Sequence, residues 1–531
     1  MKTNIKISIL AAALVFASCT KKDDEVVVVP EAPLTSGTAN FSKYVAVGNS
    51  LSAGFSDGAL FKEGQKGSWT NILNEQFKFV GGGNFNIPFM PDDNIGGILL
   101  GTVQIQDPRR YWTGTGVAFV GTPTSQFNER ASGSGFNNMG VPGAKVFHLL
   151  APGYGSLANL ASGRANPYFC RFASTPNARI IDDATVQNPT FFSLWIGNND
   201  VLSYALSGGT GTNQTGNTDL TTYGGNDITD PTVFAVSYNA ILNGSTTPIV
   251  APGLTQNNTK GVVCNIPYVT SVPFFTTVAF NQIPALPAAN ATSLNQLFGA
   301  INQIAAAGTL PARFKTITVN DGDATTIEAN NPLLIIDQTL VDLSPTITAA
   351  LTPGYGAATA GYIASIFGRA RHATKNDFVL LTTGAILSPL NDANVRKVNG
   401  VALPPPFNIN GISYPLQDSE VLTAAEVMEI KTATDAYNVT IKSLATAKGL
   451  AFVDTNSFLN TVATTGISAN GYTIKSTYPA GGAFSLDGIH PCARGYALIA
   501  NKVMEAINAT YGSNLKPVDL TKYRVQYPKS F

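Results

Sequence analysis

Hydrolysis at a serine needs a hydroxyl, a base to take its proton, and donors for the anion that forms. The 531-residue chain holds three histidines, His148, His372 and His490, so the choice of base is narrow. Asp487-Gly488-Ile489-His490-Pro491 sets a carboxylate three residues before the last of them. On a loop, that spacing lets the carboxylate bind one ring nitrogen and leaves the other for a serine; it equally suits an ordinary surface histidine. Two serines compete for the far end of such a relay. Gly54-Phe55-Ser56-Asp57-Gly58 matches the Gly-x-Ser-x-Gly nucleophile elbow, but an elbow must leave a strand directly. This match starts six positions beyond Gly48, so it reads as a loop turn. Ser50 follows Gly48-Asn49 at once, where a helix starting after the strand would aim its first amides at a developing anion.

Other chemistries find little support. No His-Glu-x-x-His or Cys-x-x-Cys pattern is present, so no metal site is expected, and the glycine-rich stretches lack the Lys-Ser/Thr of a phosphate loop. Arg109 and Arg110 beside Tyr111 and Trp112 read as a surface stacking pair, with an anionic or sugar ligand as the second reading. Trp195 reads as core. Charged residues make up 12% of the chain, about half the roughly 25% of ordinary globular proteins. With 33 basic and 33 acidic residues, and no basic stripe standing out, broad capture of phosphates has no support and nucleic acid is not an expected partner.

The elements that must position these residues alternate between strand and helix. Lys43–Val47, Thr190–Ile196, Gly261–Ile266 and Leu450–Val453 are short β-prone runs, the first two ending at Gly-Asn pairs. Thr423-Ala-Ala-Glu426 has the form of a capping box, followed by Val427, Ile430, Thr434, Tyr437, Ile441 and Leu444 on one helical face. Gly449 stops that helix, and a last helix after Pro491 carries Ile499, Val503 and Ile507. Such alternation predicts a parallel sheet covered on both faces, with working residues just beyond the carboxyl ends of the strands. The long Ala/Thr/Pro/Gly-rich stretch 267–422 reads as an inserted cap or subdomain.

Together these residues resemble the GDSL esterase/lipase family, the SGNH hydrolases. Gly48-Asn49-Ser50-Leu51 stands for Gly-Asp-Ser-Leu, with Asn in place of Asp. Asn138-Met139-Gly140-Val141-Pro142-Gly143, Gly197-Asn198-Asn199-Asp200 and Asp487-x-x-His490-Pro491 match the other blocks, in family order. The resemblance covers roughly residues 41–200 and 423–510. It implies a three-layer α/β/α sandwich with a mainly parallel, flavodoxin-like sheet over 41–510, and a tail from 511 to 531. It also implies Ser50 as nucleophile, His490 as base and Asp487 as its orienting acid. The oxyanion would meet the amides of Ser50 and Gly143 and the side chain of Asn199. The implied activity is hydrolysis of carboxylic esters without metal or cofactor. A lipid ester and an acetylated glycan are both open as substrates, the choice lying in 201–422. A non-catalytic glycan-binding protein is the reading outside enzymology.

The N-terminus reads as an address. Lys2 and Lys6 precede the short apolar run Ile7–Phe16, too short to span a bilayer, and Phe16-Ala17-Ser18-Cys19 resembles a lipobox. Residues 1–18 are then a signal peptide, Cys19 the lipidated first residue, and 19–40 a linker to an extracytoplasmic, outer-membrane location. Lys22-Asp23-Asp24-Glu25 is similar to the surface-export signal of lipoproteins in the Bacteroidetes, and reads equally as a solvated charge run. Beyond Cys19, Cys170, Cys264 and Cys492 allow at most one disulfide, with the pairing open.

Overall fold

A computed structural model describes residues 33–246, 250–323, 325–387, 395–398 and 400–531. The signal segment, Cys19 and most of the expected linker lie outside the described residues. Five strands form one parallel sheet: β1 (Tyr44–Gly48), β2 (Asn138–Gly140), β3 (Phe191–Trp195), β4 (Lys260–Cys264) and β5 (Ala451–Val453). Their spatial order is β2-β1-β3-β4-β5, every neighbouring pair parallel. Every residue of β1 and β3 is buried, as expected of strands that face no solvent. β2 has no apolar run of its own; its strand conformation comes from pairing with β1.

Register matters more here than strand count. Gly48 pairs with Gly140 on one side and with Trp195 on the other, so β1, β2 and β3 end level. The turns after them therefore emerge side by side.

Among the helices around the strands and the site are α1 (Ser50–Ala53), α2 (Trp69–Phe77), α3 (Asn199–Leu206), α4 (Pro231–Asn243), α5 (Ala424–Ala447), α6 (Thr455–Thr464) and α7 (Ala493–Tyr511). Helices α5 and α7 both pack on β4 and β5; α5 also meets α3 and α4, and α7 meets α2. The predicted stripe of α5 is buried at Ile430, Thr434, Tyr437 and Ile441, with Val427 and Leu444 at its half-buried margin. Its expected capping box is present, with Glu426 accepting the Thr423 amide at 2.7 Å. Phe41 stacks on Phe77 and Tyr44 on Phe85, and burial of each such ring contributes about 2 kcal/mol.

The insertion has an apolar cluster of its own, running from Ile283 to Val421 and distinct from the one around the sheet. Arg371 bridges Asp337 and Asp377 at 2.6 Å each, and Asp377 accepts the Ala424 amide at the start of α5. Residues near both ends of the described chain contact the domain. Thr35 and Thr38 hydrogen-bond to Asn514 and Tyr511, so the end of the expected linker belongs to the fold. Leu515, Leu520 and Tyr527 are buried, so the expected tail is docked as well. Cys170, Cys264 and Cys492 are buried free thiols and form no bridge.

Candidate active site

Ser50 opens α1 directly after β1. Asn49, the N-cap, accepts the Leu51 amide at 3.0 Å and donates its own amide to Asn198 at 3.0 Å. An ionised Asp could make the first bond but has no hydrogen for the second. Asn at this position thus ties the turn after β1 to the turn after β3. Helix α1 lies directly against β2, because a Cβ on Gly140 would stand 2.4 Å from the Ala53 nitrogen.

His490 and Asp487 reach Ser50 from the other end of the chain. His490 Nε2 lies 2.8 Å from Ser50 Oγ, and its Nδ1 lies 2.7 Å from Asp487 Oδ2. The carboxylate can only accept, so Nδ1 carries the proton and Nε2 is left to accept from the serine. Five donors converge on Asp487. Oδ1 receives Ser485 Oγ and the amides of Ile489 and His490; Oδ2 receives the ring and the Gly58 amide. Burial pushes this carboxyl up, but the charge and hydrogen bonds of His490 and the two loop amides outweigh it, leaving it at about 2. The ring of Phe55 packs on the imidazole at 4.6 Å between centroids.

The residues suggested for the oxyanion divide into two groups. Asn199, the first residue of α3, lines the same pocket as Ser50 and His490, and its side-chain amide donates to the Ala144 carbonyl at 2.9 Å. That bond uses one of its two hydrogens. Gly143 is not part of that pocket wall. It occupies the turn after β2 at φ +81°, which a side chain would strain. Among the described residues, the amides of Ser50 and Gly143 donate to no protein acceptor. Asp200 accepts the Val146 amide at 2.9 Å and so staples the β3 turn to the β2 turn. Burial pushes Asp200 up to about 6 despite the neighbouring Lys145 ammonium.

A pocket partly open to solvent adjoins Ser50 and His490. Its walls are mainly apolar: Leu202, Val269, Phe458, Val462, Phe484 and Leu498 are representative. Most of the lining comes from 455–499, while Leu202, Pro267, Val269 and Val272 come from 201–422, the region in which substrate choice was expected to lie.

The remaining expectations sort quickly. Arg109 is not a surface residue. It is 1% exposed, donates to the carbonyls of Asn94, Pro528 and Lys529, and sits over the Phe61 and Phe531 rings. Arg110 stacks on Phe119. Trp195 is buried, donates to the Asn265 carbonyl and forms part of the pocket wall. His148 and His372 are pushed down by burial to about 3 and about 4, and each accepts a backbone amide at Nδ1. Neither faces the site. Among the described residues no group of three His, Cys, Asp or Glu could hold a metal. Sequence reasoning missed Ser485; it quoted Asn198 without giving it a role, and it read 54–58 as a loop turn without assigning that turn a partner. Comparison with family models, curated proteins and solved structures returned no match in any of the three.

Proposed function

We propose that this chain is a serine esterase of the GDSL (SGNH) type, built as a three-layer α/β/α sandwich around the parallel sheet. The observation that carries the reading is the unbroken path Ser50–His490–Asp487, with distances of 2.8 and 2.7 Å. The strand order supports it. In a β2-β1-β3-β4-β5 sheet the direction of winding reverses between β1 and β3, and ligands bind beyond the strand ends at such a switch point. Ser50 and Asn199 follow those two strands.

In the reaction, Ser50 Oγ attacks the ester carbonyl carbon as its proton passes to His490 Nε2. The carbonyl oxygen becomes an anion held by the amides of Ser50 and Gly143 and the side chain of Asn199. Collapse expels the alcohol, which takes the proton from Nε2. Water then repeats the sequence on the acyl-serine, releasing the acid and regenerating Ser50. Asp487 stays ionised throughout and holds the ring in the required tautomer.

The apolar pocket favours an ester with a hydrophobic acyl group over an acetylated glycan, whose acetyl group would leave most of those walls unused. The N-terminal pattern supports an extracytoplasmic protein anchored to the outer membrane through Cys19. A p-nitrophenyl ester series with acyl chains of increasing length, with labelling by a fluorophosphonate probe, tests the proposal. Ser50→Ala should abolish both turnover and labelling while the protein stays folded. Labelling that maps to a different serine would refute it.

A further inference from the structure

The 56–59 turn, set aside as a loop at the level of sequence, grips the acid–base loop at several points. Ser56 and Ala59 exchange both backbone hydrogen bonds, and Asp57 and Gly58 between them have φ of +52° and +82°, as in a type I′ turn. Two successive amides of this turn point at the loop: Asp57 N–H donates to Ser485 Oγ at 2.9 Å, and Gly58 N–H to Asp487 Oδ2 at 3.1 Å. Asp57 Oδ1 accepts the Leu486 amide in return at 2.9 Å. Ser56 Oγ donates to the Pro491 carbonyl at 3.2 Å, just past the histidine. We propose that Asp57 is a positioning residue, through which the segment carrying Ser50 also sets the loop that aims His490. This inference rests on the reading of Ser50, His490 and Asp487 as the hydrolytic relay.

The carboxyl of Asp57 has a second feature. The residue is fully buried, and Oδ2 has no hydrogen-bond partner among the described residues. Such an environment disfavours the anion. Burial pushes the group up to about 7; the Leu486 amide pulls it down, the Asp487 carboxylate pushes it further up, and Arg109 and Arg110 pull it down. Tyr478, Tyr527 and the Cys492 thiol are the other titratable groups facing it. Around neutrality Asp57 therefore passes from a neutral acid to a second anion beside Asp487.

Asparagine keeps the acceptor for Leu486 but cannot ionise, whereas alanine loses both. Asp57→Ala should lower kcat about 10- to 100-fold with KM within about threefold, the loss expected of a misplaced reacting group. Asp57→Asn should restore kcat to within about threefold of the native value. It should also move the acid limb of the kcat/KM profile to lower pH by on the order of half a unit, which a purely structural role would not do. Native enzyme and Ser50→Ala are measured beside them on a p-nitrophenyl ester. An Asp57→Ala protein that is folded by circular dichroism and retains native kcat overturns the inference. So does an Asp57→Asn protein as impaired as the alanine variant. Should Asp57→Ala not fold, an unshifted acid limb in Asp57→Asn is decisive against it. A native chain lacking Ser50-dependent turnover removes the hydrolytic reading and this inference together.

Discussion

Replacing Asp487 by Asn puts the relay to its most direct test, because the side chain keeps its size and loses one acceptor. Three donors face Oδ1 (Ser485 Oγ and the Ile489 and His490 amides) and two face Oδ2, the Gly58 amide and the imidazole. The asparagine carbonyl belongs on the side with three donors. Its NH2 then occupies the Oδ2 position and donates to His490 Nδ1. The ring proton must move to Nε2, which now donates to Ser50 instead of accepting from it. A wrong tautomer of this kind costs on the order of 10⁴ in kcat, about 5.5 kcal/mol of barrier. KM should change little, since Asp487 is not part of the pocket wall. The Gly58 amide, left facing an NH2, should lower stability by about 1–3 kcal/mol.

Single-turnover and steady-state hydrolysis of a p-nitrophenyl ester separates the two effects, with urea unfolding to follow stability. Adding Asp487→Asn to Ser50→Ala should cost nothing beyond Ser50→Ala alone, because groups acting as one unit are not additive. A folded Asp487→Asn protein whose kcat falls less than tenfold would contradict the tautomer argument.

Three further outcomes follow from the same geometry. Asn199→Ala should cost roughly 10²–10³ in kcat at near-constant KM; an equal rise in KM would place Asn199 in binding rather than on the oxyanion. Val462→Phe narrows the apolar pocket, so kcat/KM for an octanoyl ester should fall at least about tenfold relative to acetyl; an unchanged ratio in the chain-length series would place the acyl group elsewhere. The third concerns acid. Asp487 lies at about 2 in the folded chain against an ordinary 3.8, so the stability it contributes is fully present above about pH 4. That contribution is lost as pH falls through about 2. The difference in Tm between native and Asp487→Asn proteins should therefore shrink on acidification below pH 4, and a difference that grows would reverse the assigned sign.

How much of this was visible beforehand follows from how local each signal is. β1 and β3 are continuous apolar runs ended by Gly-Asn, and they appear within a residue or two of where pattern places them. The Asp487-x-x-His490 spacing is equally local, and three residues of loop do place the carboxylate on Nδ1. What pattern could not supply was pairing between remote segments. Asn138–Gly140 becomes a strand only because β1 lies beside it, and Arg109 is buried only because Pro528 and Lys529 return to cover it. The 56–59 turn shows the same limit most sharply. As a string, its serine competes with Ser50 for one role; in the fold, its Asp-Gly backbone holds the loop that serves Ser50. A fixed-position motif reports what a side chain could do, whereas the amides that direct a site carry no residue name. Supporting residues of this kind become visible only once the two chain segments they join have met.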